Sequence, residues 1–291
     1  MRFPQFTKMR SIMETPVLDE RKWAKVPHQP TDGVLVDMED TVAQARKAEG
    51  RAAVVAALGN RDYFGDRMLL CRPNGLETPW WHDDTVALAQ AGAENVILPM
   101  ITCAADVREF QRVFREHGAD PYLLPGIETP GGVAHAEEIA EVENVAGLVF
   151  GEGDLTAAMG LPIYMTDGSV NPTVQHARAR VYVAAAAGGL AMLDIAFTKN
   201  IHDLDDFRAR ATELRAMGAS GLFALYPPHV PVINDVFTPD AESLRFAMRV
   251  VSEFESAAAT GKPAVQLEEG RAILIHDYKK AQGVLARSGL A

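Results

Sequence analysis

The stretch DGVLVDMEDTVAQARKAEGRAAVVAALGNRDYFGDRMLLCRP, residues 32–73, decides the architecture. It opens on an unbroken apolar run, Gly33–Asp37, and closes on another, Met68–Arg72. Neither run alternates apolar with polar residues, which is the pattern of strands covered on both faces of a parallel sheet. Between them, residues 41–58 are Ala-rich with charges at helical spacing, so the unit reads strand, helix, strand. Each run also ends on charge: Asp37, with Glu39 and Asp40 behind it, and then Arg72.

Outward in both directions the same unit recurs. Strands are expected at residues 11–13, 95–99, 122–127, 145–150, 191–195 and 221–225. Helical stretches at 85–91, 104–117, 132–141, 174–187 and 203–217 separate them, several stopping at Gly92, Gly118, Gly188 or Gly218. About eight such units with short turns describe an α/β fold of the (β/α)8 TIM-barrel type. A doubly wound open sheet is the rival, and strand number alone does not separate the two. After Leu225 the pattern changes to a Pro-rich turn, a long amphipathic helix at 239–260, a break at 261–263 and a final helical or mixed segment at 270–288. The chain is therefore expected to divide into a TIM barrel, 1–228, and a C-terminal helical extension or lid, 229–291. That extension is too short for an independent domain and is expected to pack over the barrel or on a neighbouring subunit.

A formal net charge of -11 repels phosphate backbones and anionic membranes, so neither nucleic acid nor a membrane is an expected partner. Arg2, Lys8, Arg10, Arg21, Lys22 and Lys25 form a local basic exception, read either as an anion site or as a solvated face. Cys71 and Cys103 provide no disulfide framework and no zinc spacing, which points to a reducing cytoplasm. Residues 1–10 lack the apolar segment of a signal peptide, and no run approaches the roughly 18 apolar residues of a membrane span.

In a TIM barrel the chemistry sits at the C-terminal ends of the strands. Polar residues fall there repeatedly: Asp37, Glu39 and Asp40 after the second strand, Arg72 and Asn74 after the third, Glu128 after the fifth, Asp154 after the sixth and Asp194 at the seventh. Glu128 and Asp154 close successive strands, and two carboxylates with waters and substrate oxygens are the usual magnesium arrangement. Two plainer readings stand beside this one: Glu128 pairs with Arg72, and Asp154 caps a helix beginning at Leu155. Arg72 offers a fork for a carboxylate or an enolate oxygen, or an ion pair with the nearby acids. Gly131 and Gly132 either open a helix N-terminus onto a substrate carboxylate or make a tight turn. Cys71 reads as a small core residue, the histidines show no metal-ligand spacing, and no phosphate-binding Walker loop is present. One metal, one arginine and one helix N-terminus suit a 2-oxo acid and the enolate formed when a carbon–carbon bond breaks or forms.

The segments DGVLVDMEDTV (32–42), CRPNGLETPWW (71–81), ILPM (97–100), IETPGGV (127–133) and GEGDL (151–155) resemble the HpcH/HpaI aldolase/citrate lyase family. The likeness is to its citrate lyase β-subunit-like, malyl-CoA lyase-like branch. It runs from Arg10 to about Ser256 and takes in Tyr226, Pro227, Pro228, Asn234, Phe237 and Pro239. The resemblance implies Glu128 and Asp154 as ligands of Mg2+, with Mn2+ as a substitute. It implies Arg72 as the arginine that holds the oxo-acid or acyl carbonyl, and Asp37 and Glu39 as the acidic pair that orients waters and that arginine. Pro130, Gly131 and Gly132 match the segment that binds the substrate carboxylate. A homotrimer or hexamer, with the C-terminal segment closing over a neighbour's site, is implied as well.

Three positions depart from the branch. Met100 stands where acyl-CoA lyases commonly carry lysine, and Val17 where a glycine lies beside the coenzyme A pocket. In the best register of the tail, 270–274, Leu274 replaces a catalytic aspartate, with Asp277 nearby. These departures leave open the use of coenzyme A and the identity of the acid/base. The activity implied is metal-dependent cleavage or formation of a 3-hydroxyacyl-CoA or hydroxy-oxo acid through a metal-stabilised enolate. Its rivals are a non-catalytic homologue that binds oxo acids or acyl-CoA, motivated by Leu274, and an acyl-CoA thioesterase on the same barrel.

Overall fold

Eight parallel strands pair in chain order and close on themselves. They are β1 (Ser11–Pro16), β2 (Gly33–Asp37), β3 (Met68–Arg72), β4 (Asn95–Leu98), β5 (Tyr122–Ile127), β6 (Gly147–Phe150), β7 (Ala191–Ile195) and β8 (Gly221–Ala224). Pairing of β1 with both β2 and β8 makes this a barrel and excludes the open sheet. The computed structural model describes residues 2–261, 264–267 and 272–288. Ile12, Leu35, Leu70, Ile97, Leu124, Val149, Leu193 and Phe223 fill the interior, with Phe6 and Met9 of the N-terminal segment packed into the same cluster. Layers of bulky side chains from every strand are what a TIM barrel needs to be a packed core rather than a pore.

The helices are α1 (Glu20–Trp23), α2 (Lys47–Leu58), α3 (Trp81–Gln90), α4 (Ala104–Glu116), α5 (Pro130–Ala134), α6 (Ala136–Ala140), α7 (Glu152–Met159), α8 (Pro172–Gly188), α9 (Leu204–Met217) and α10 (His229–Phe237). The sequence reading gives no helix at α1 or α10, and α10 begins inside what reads as a Pro-rich turn. Three more differ from it for local reasons. The helix expected from 41 begins only at Lys47, because the N–H groups of Glu39 and Thr41 are spent on the Asp37 carboxylate. The stretch 132–141 is two short helices broken at His135, whose backbone (φ -113°, ψ 18°) leaves the helical region. The turn after β6 winds directly into α7, so Asp154 lies inside the first turn and does not precede it.

The chain separates into two compact units, Met1–Asn234 and Asp235–Ala291, whereas the sequence reading divides it after 228. The difference lies in α10, whose Val230 and Ile233 are fully buried. In the second unit α11 (Ala241–Ala259) packs with α12 (Ile275–Ser288), and β9 (Val265–Gln266) pairs antiparallel with β10 (Ala272–Ile273). Ala247, Val250, Leu267, Ile273, Ala281 and Leu285 form its core. Gly270 and Arg271 of the expected tail register lie outside the described residues. Leu274 is exposed, and its N–H donates to Asp277 Oδ2 at 3.1 Å, so Asp277 caps the start of α12. No helix among the described residues is long and apolar enough to cross a membrane.

Candidate active site

Strand register assembles the charges at the barrel mouth. Pairing sets Pro16 beside Asp37 and Asp37 beside Arg72 at the C-terminal ends of β1, β2 and β3. Arg72 Nε donates to Asp37 Oδ1 at 2.7 Å and lies 3.1 Å from Glu39 Oε2. Its Nη2 donates to Glu14 Oε1 at 2.7 Å and lies 3.4 Å from Asp40 Oδ2. The segment after β2 folds around this guanidinium, with Lys47 Nζ donating to the carbonyls of Met38 and Glu39. Glu14 is the site residue that the sequence reading misses. That reading ends the first strand at residue 13, but β1 runs to Pro16 and carries Glu14 to the mouth. A carboxylate directly behind a short apolar run, the same pattern as Asp37, was the available signal.

The second half of the site comes from β5 and β6. Ile127 pairs with Phe150, so Glu128 and Gly151 leave the barrel side by side. A Cβ at Gly151 would overlap the Glu128 carboxylate, and one at Gly126 would lie 2.9 Å from its Oε1. Glu128 is 8% exposed, and its Oε1 accepts the N–H of Met100 at 2.7 Å. Met100 takes a left-handed backbone, φ 55°, which costs a residue with a Cβ roughly 1–2 kcal/mol. Such strain clusters where structure must aim a group, and here it aims an N–H at a carboxylate. Glu128 Oε2 accepts no hydrogen bond from the described residues. Asp154 is exposed one strand further on, in the first turn of α7.

Six carboxylates (Glu14, Asp37, Glu39, Asp40, Glu128 and Asp154) thus face one guanidinium. Burial would raise Asp37, but the charge and hydrogen bond of Arg72 and the N–H groups of Thr41 and Glu39 hold it below the usual range. Burial pushes Glu39 up to about 9; Arg72 opposes this, and Asp40, Glu128 and Asp37 reinforce it. Burial likewise pushes Glu128 up to about 7 against the Met100 N–H and Arg72, with Asp154 and Asp40 adding to the rise. Desolvation and then Asp40 raise Asp154. Burial, and then the neighbouring acids, raise Glu14, Glu39, Glu128 and Asp154 together, a crowding of negative charge that a bound cation would offset.

The residues fit a hard divalent cation. Glu128 Oε2 is a donor-free carboxylate oxygen, and Asp154 lies close enough to raise the Glu128 pKa. Among the described residues no group of three or more His, Cys, Asp or Glu is placed to hold a metal, so further ligands would be water and substrate oxygens.

Several plainer readings are resolved by the geometry. Glu128 forms no ion pair with Arg72 among the described contacts; the arginine's partners are Glu14, Asp37, Glu39 and Asp40. Asp194 does not reach the mouth, because it is fully buried between Arg178 and Tyr182. Asn74 is buried against Asp84 and the Met38 carbonyl. Gly132 donates its N–H to Thr129 Oγ1 at 2.8 Å, and a Cβ there would overlap the Ile101 carbonyl. Pro130 occupies the first turn of α5, and a Cβ at Gly131 would lie 3.2 Å from Thr102 Cβ. Cys71 is buried and pushed up to about 12 by desolvation, a thiol rather than a nucleophile.

A cavity of about 520 Å³ opens beside Glu14, lined by Thr15, Lys22, Lys25, Thr41 and Tyr226 among others. It gathers two residues of the basic N-terminal cluster, whereas Arg10 is paired with Asp32 at 2.8 Å. A second cavity, of about 540 Å³, surrounds Lys8, Asp32, Arg67 and Met68 at the N-terminal ends of the strands, the face where barrel enzymes do not place chemistry.

Known proteins share the sequence pattern and the barrel of this chain. Residues 10–227 match the family model described as HpcH/HpaI aldolase/citrate lyase. A citrate lyase subunit beta-like protein of Deinococcus radiodurans is 32% identical over 263 residues, covering 89% of this chain and 90% of that one. An L-malyl-CoA/beta-methylmalyl-CoA lyase of Rhodobacter capsulatus is 29% identical, covering 92% and 90%. Among solved structures, the Mycobacterium tuberculosis protein CitE in complex with magnesium, acetoacetate and coenzyme A superposes with a TM-score of 0.79 at 26% identity, covering 98% of this chain and 99% of that one. The chain belongs to the HpcH/HpaI aldolase/citrate lyase family.

Proposed function

We propose that the protein is a divalent-cation-dependent carbon–carbon lyase. Its substrate is a 3-hydroxyacyl-CoA or a hydroxy-oxo acid, cleaved or formed through an enolate. One observation carries this reading: Arg72 is held by four carboxylates on one side, while Glu128 and Asp154 bring uncompensated acid to the same mouth. Glu128 and Asp154 would hold Mg2+, with Mn2+ as a substitute; when bound, the ion supplies Lewis-acid stabilisation of developing oxyanion charge.

The chain's own groups do the rest. Asp37 and Glu14 fix the plane of the Arg72 guanidinium through Nε and Nη2. Nη1, which has no partner among the described residues, is the donor left for a substrate carbonyl. A donor set in place before the charge develops lowers the barrel's cost of stabilising an enolate, because nothing has to reorganise. Lys22 and Lys25 on the neighbouring cavity suit the anionic part of an acyl-CoA substrate. The relatives named for malyl-CoA lyase and for a complex with coenzyme A support that choice.

The test is release of glyoxylate or pyruvate from 3-hydroxyacyl-CoA thioesters and 4-hydroxy-2-oxo acids, with and without Mg2+. The expected result is Mg2+-dependent release by the parent chain and none by Glu128→Gln or Asp154→Asn, both with unchanged circular dichroism. Full turnover by either variant would remove the metal assignment. Free thiol without carbon–carbon cleavage would make the protein a thioesterase instead.

A further inference from the structure

Behind Asp154 the barrel wall holds a buried charge network that the site above does not use. Arg178 of α8 is fully buried. Its Nε donates to Asp194 Oδ2 at 2.9 Å, its Nη2 to Glu152 Oε2, and its Nη1 to Gln175 Oε1 at 3.1 Å. The guanidinium lies 4.7 Å from the centroid of the Phe150 ring, at the end of β6. Tyr182, one helical turn further along α8, donates its hydroxyl to the same Asp194 oxygen at 2.7 Å. Arg210 of α9 approaches Glu152 Oε2 at 3.4 Å.

A network of this kind is not required for stability. Desolvating buried ions costs about as much as their attraction returns, and apolar side chains of equal volume often do as well or better. What charge-assisted hydrogen bonds add is direction, and one guanidinium bonded to two carboxylates orients both. Glu152 precedes Asp154 by two residues in the run Gly151-Glu152-Gly153-Asp154. Gly151 cannot carry a side chain, since a Cβ there would overlap Glu128, and Gly153 has none to anchor. Glu152 is therefore the only side chain between Phe150 and Asp154 that ties this turn to the barrel wall. Its Oε1 finds no donor among the described residues, so the carboxylate is oriented through Oε2 by the two arginines.

We propose that Arg178 is a positioning residue for the cation site: through Glu152 it locks the first turn of α7, and so sets where Asp154 is presented. This inference rests on Glu128 and Asp154 being the cation ligands. Arg178 touches neither substrate nor cation. It spans β6, β7 and α8 and holds the α7 turn against them.

The experiment measures Mn2+ affinity by electron paramagnetic resonance of the free ion, and hydrogen exchange of the amides at 152–156. It compares the parent with Arg178→Lys, Tyr182→Phe and Glu152→Gln, and with Phe110→Leu as a core control remote from the network. Lysine keeps the charge but has no fork to hold both carboxylates. Outer-shell losses of this kind weaken metal affinity by about 10–100-fold. Arg178→Lys is expected to show a loss in that range with faster exchange at 152–156, and Tyr182→Phe a smaller loss in the same direction. Phe110→Leu is expected to keep the parent's affinity. Should Arg178→Lys fail to fold, Tyr182→Phe and Glu152→Gln decide by the same criteria. Parental affinity and exchange in the folded network variants would overturn the inference, as would an equal loss in Phe110→Leu. A parent chain that binds no Mn2+ would overturn the cation reading itself, and this one with it.

Discussion

Glu39 and Asp37 are two residues apart and touch the same guanidinium, yet they titrate in opposite directions. Burial raises both, but Asp37 has the Arg72 charge and hydrogen bond and the Thr41 and Glu39 N–H groups to hold it down, whereas burial, with Asp40, Glu128 and Asp37 adding to it, pushes Glu39 up to about 9. An acid whose folded pKa is raised binds a proton that the unfolded chain has already released, so its contribution to stability falls as pH rises between the two values. The cation-free protein is therefore expected to lose thermal stability from about pH 5 to pH 9. Glu39→Gln is expected to flatten that slope in melting curves across the range; an unchanged slope would reassign the proton. Gly151 offers a second check. Gly151→Ala drives a methyl into the Glu128 carboxylate, an overpacking worth about 1–3 kcal/mol, and should cost Mg2+-dependent turnover more than it costs the denaturation midpoint. Glu128, Asp154, Asp37, Glu39 and Arg72 were readable in the sequence because each follows an apolar run. Glu14 shows the same pattern and was missed because the apolar run before it, ending at Met13, is short. Arg178 shows no such pattern, since it lies mid-helix with its partners 16 and 26 residues away.

At the scale of elements, the start of α2 shifted because backbone groups had a better partner than the next helical turn. Residues 38–46 stay out of α2 because the Asp37 carboxylate and Lys47 Nζ engage their N–H and carbonyl groups. Apolar periodicity cannot register such competition. Where the cap is a local side chain, the sequence reading and the structure agree closely. The helix expected from 203 is α9, with Asp203 as its N-cap, accepting the N–H groups of Asp205 and Asp206 at 3.2 and 3.0 Å. Replacing an N-cap aspartate by alanine typically costs about 1 kcal/mol, or roughly 2–4 °C for a unit of this size. Asp203→Ala should lower the melting temperature by that amount with little change in turnover, and calorimetry with a parallel assay would show whether it does.

For the molecule, closure of the barrel makes residues as distant as Glu14 and Asp154 share one mouth. A ligand that binds the folded chain alone stabilises it by mass action, about 2.7 kcal/mol at 100 times its Kd. With the same temperature scaling, Mg2+ at that excess is expected to raise the melting temperature by roughly 5–10 °C. Glu128→Gln should abolish the rise. An equal rise in the variant would place the ion elsewhere.

The order of strands and helices, and the acids and arginine behind them, follow from the sequence alone. Continuous apolar runs of strand length alternate with stretches of helical period, and both are local properties of the chain. The partners of each charge were decided only by tertiary structure. Whether Arg72 pairs with Glu128 or with Glu14, and whether Asp194 faces the mouth or the wall, depends on strand register and barrel closure, which join residues far apart in the chain. The protons of Glu39 and Glu128 depend on the same assembly, since desolvation and the neighbouring charges exist only once the barrel has formed.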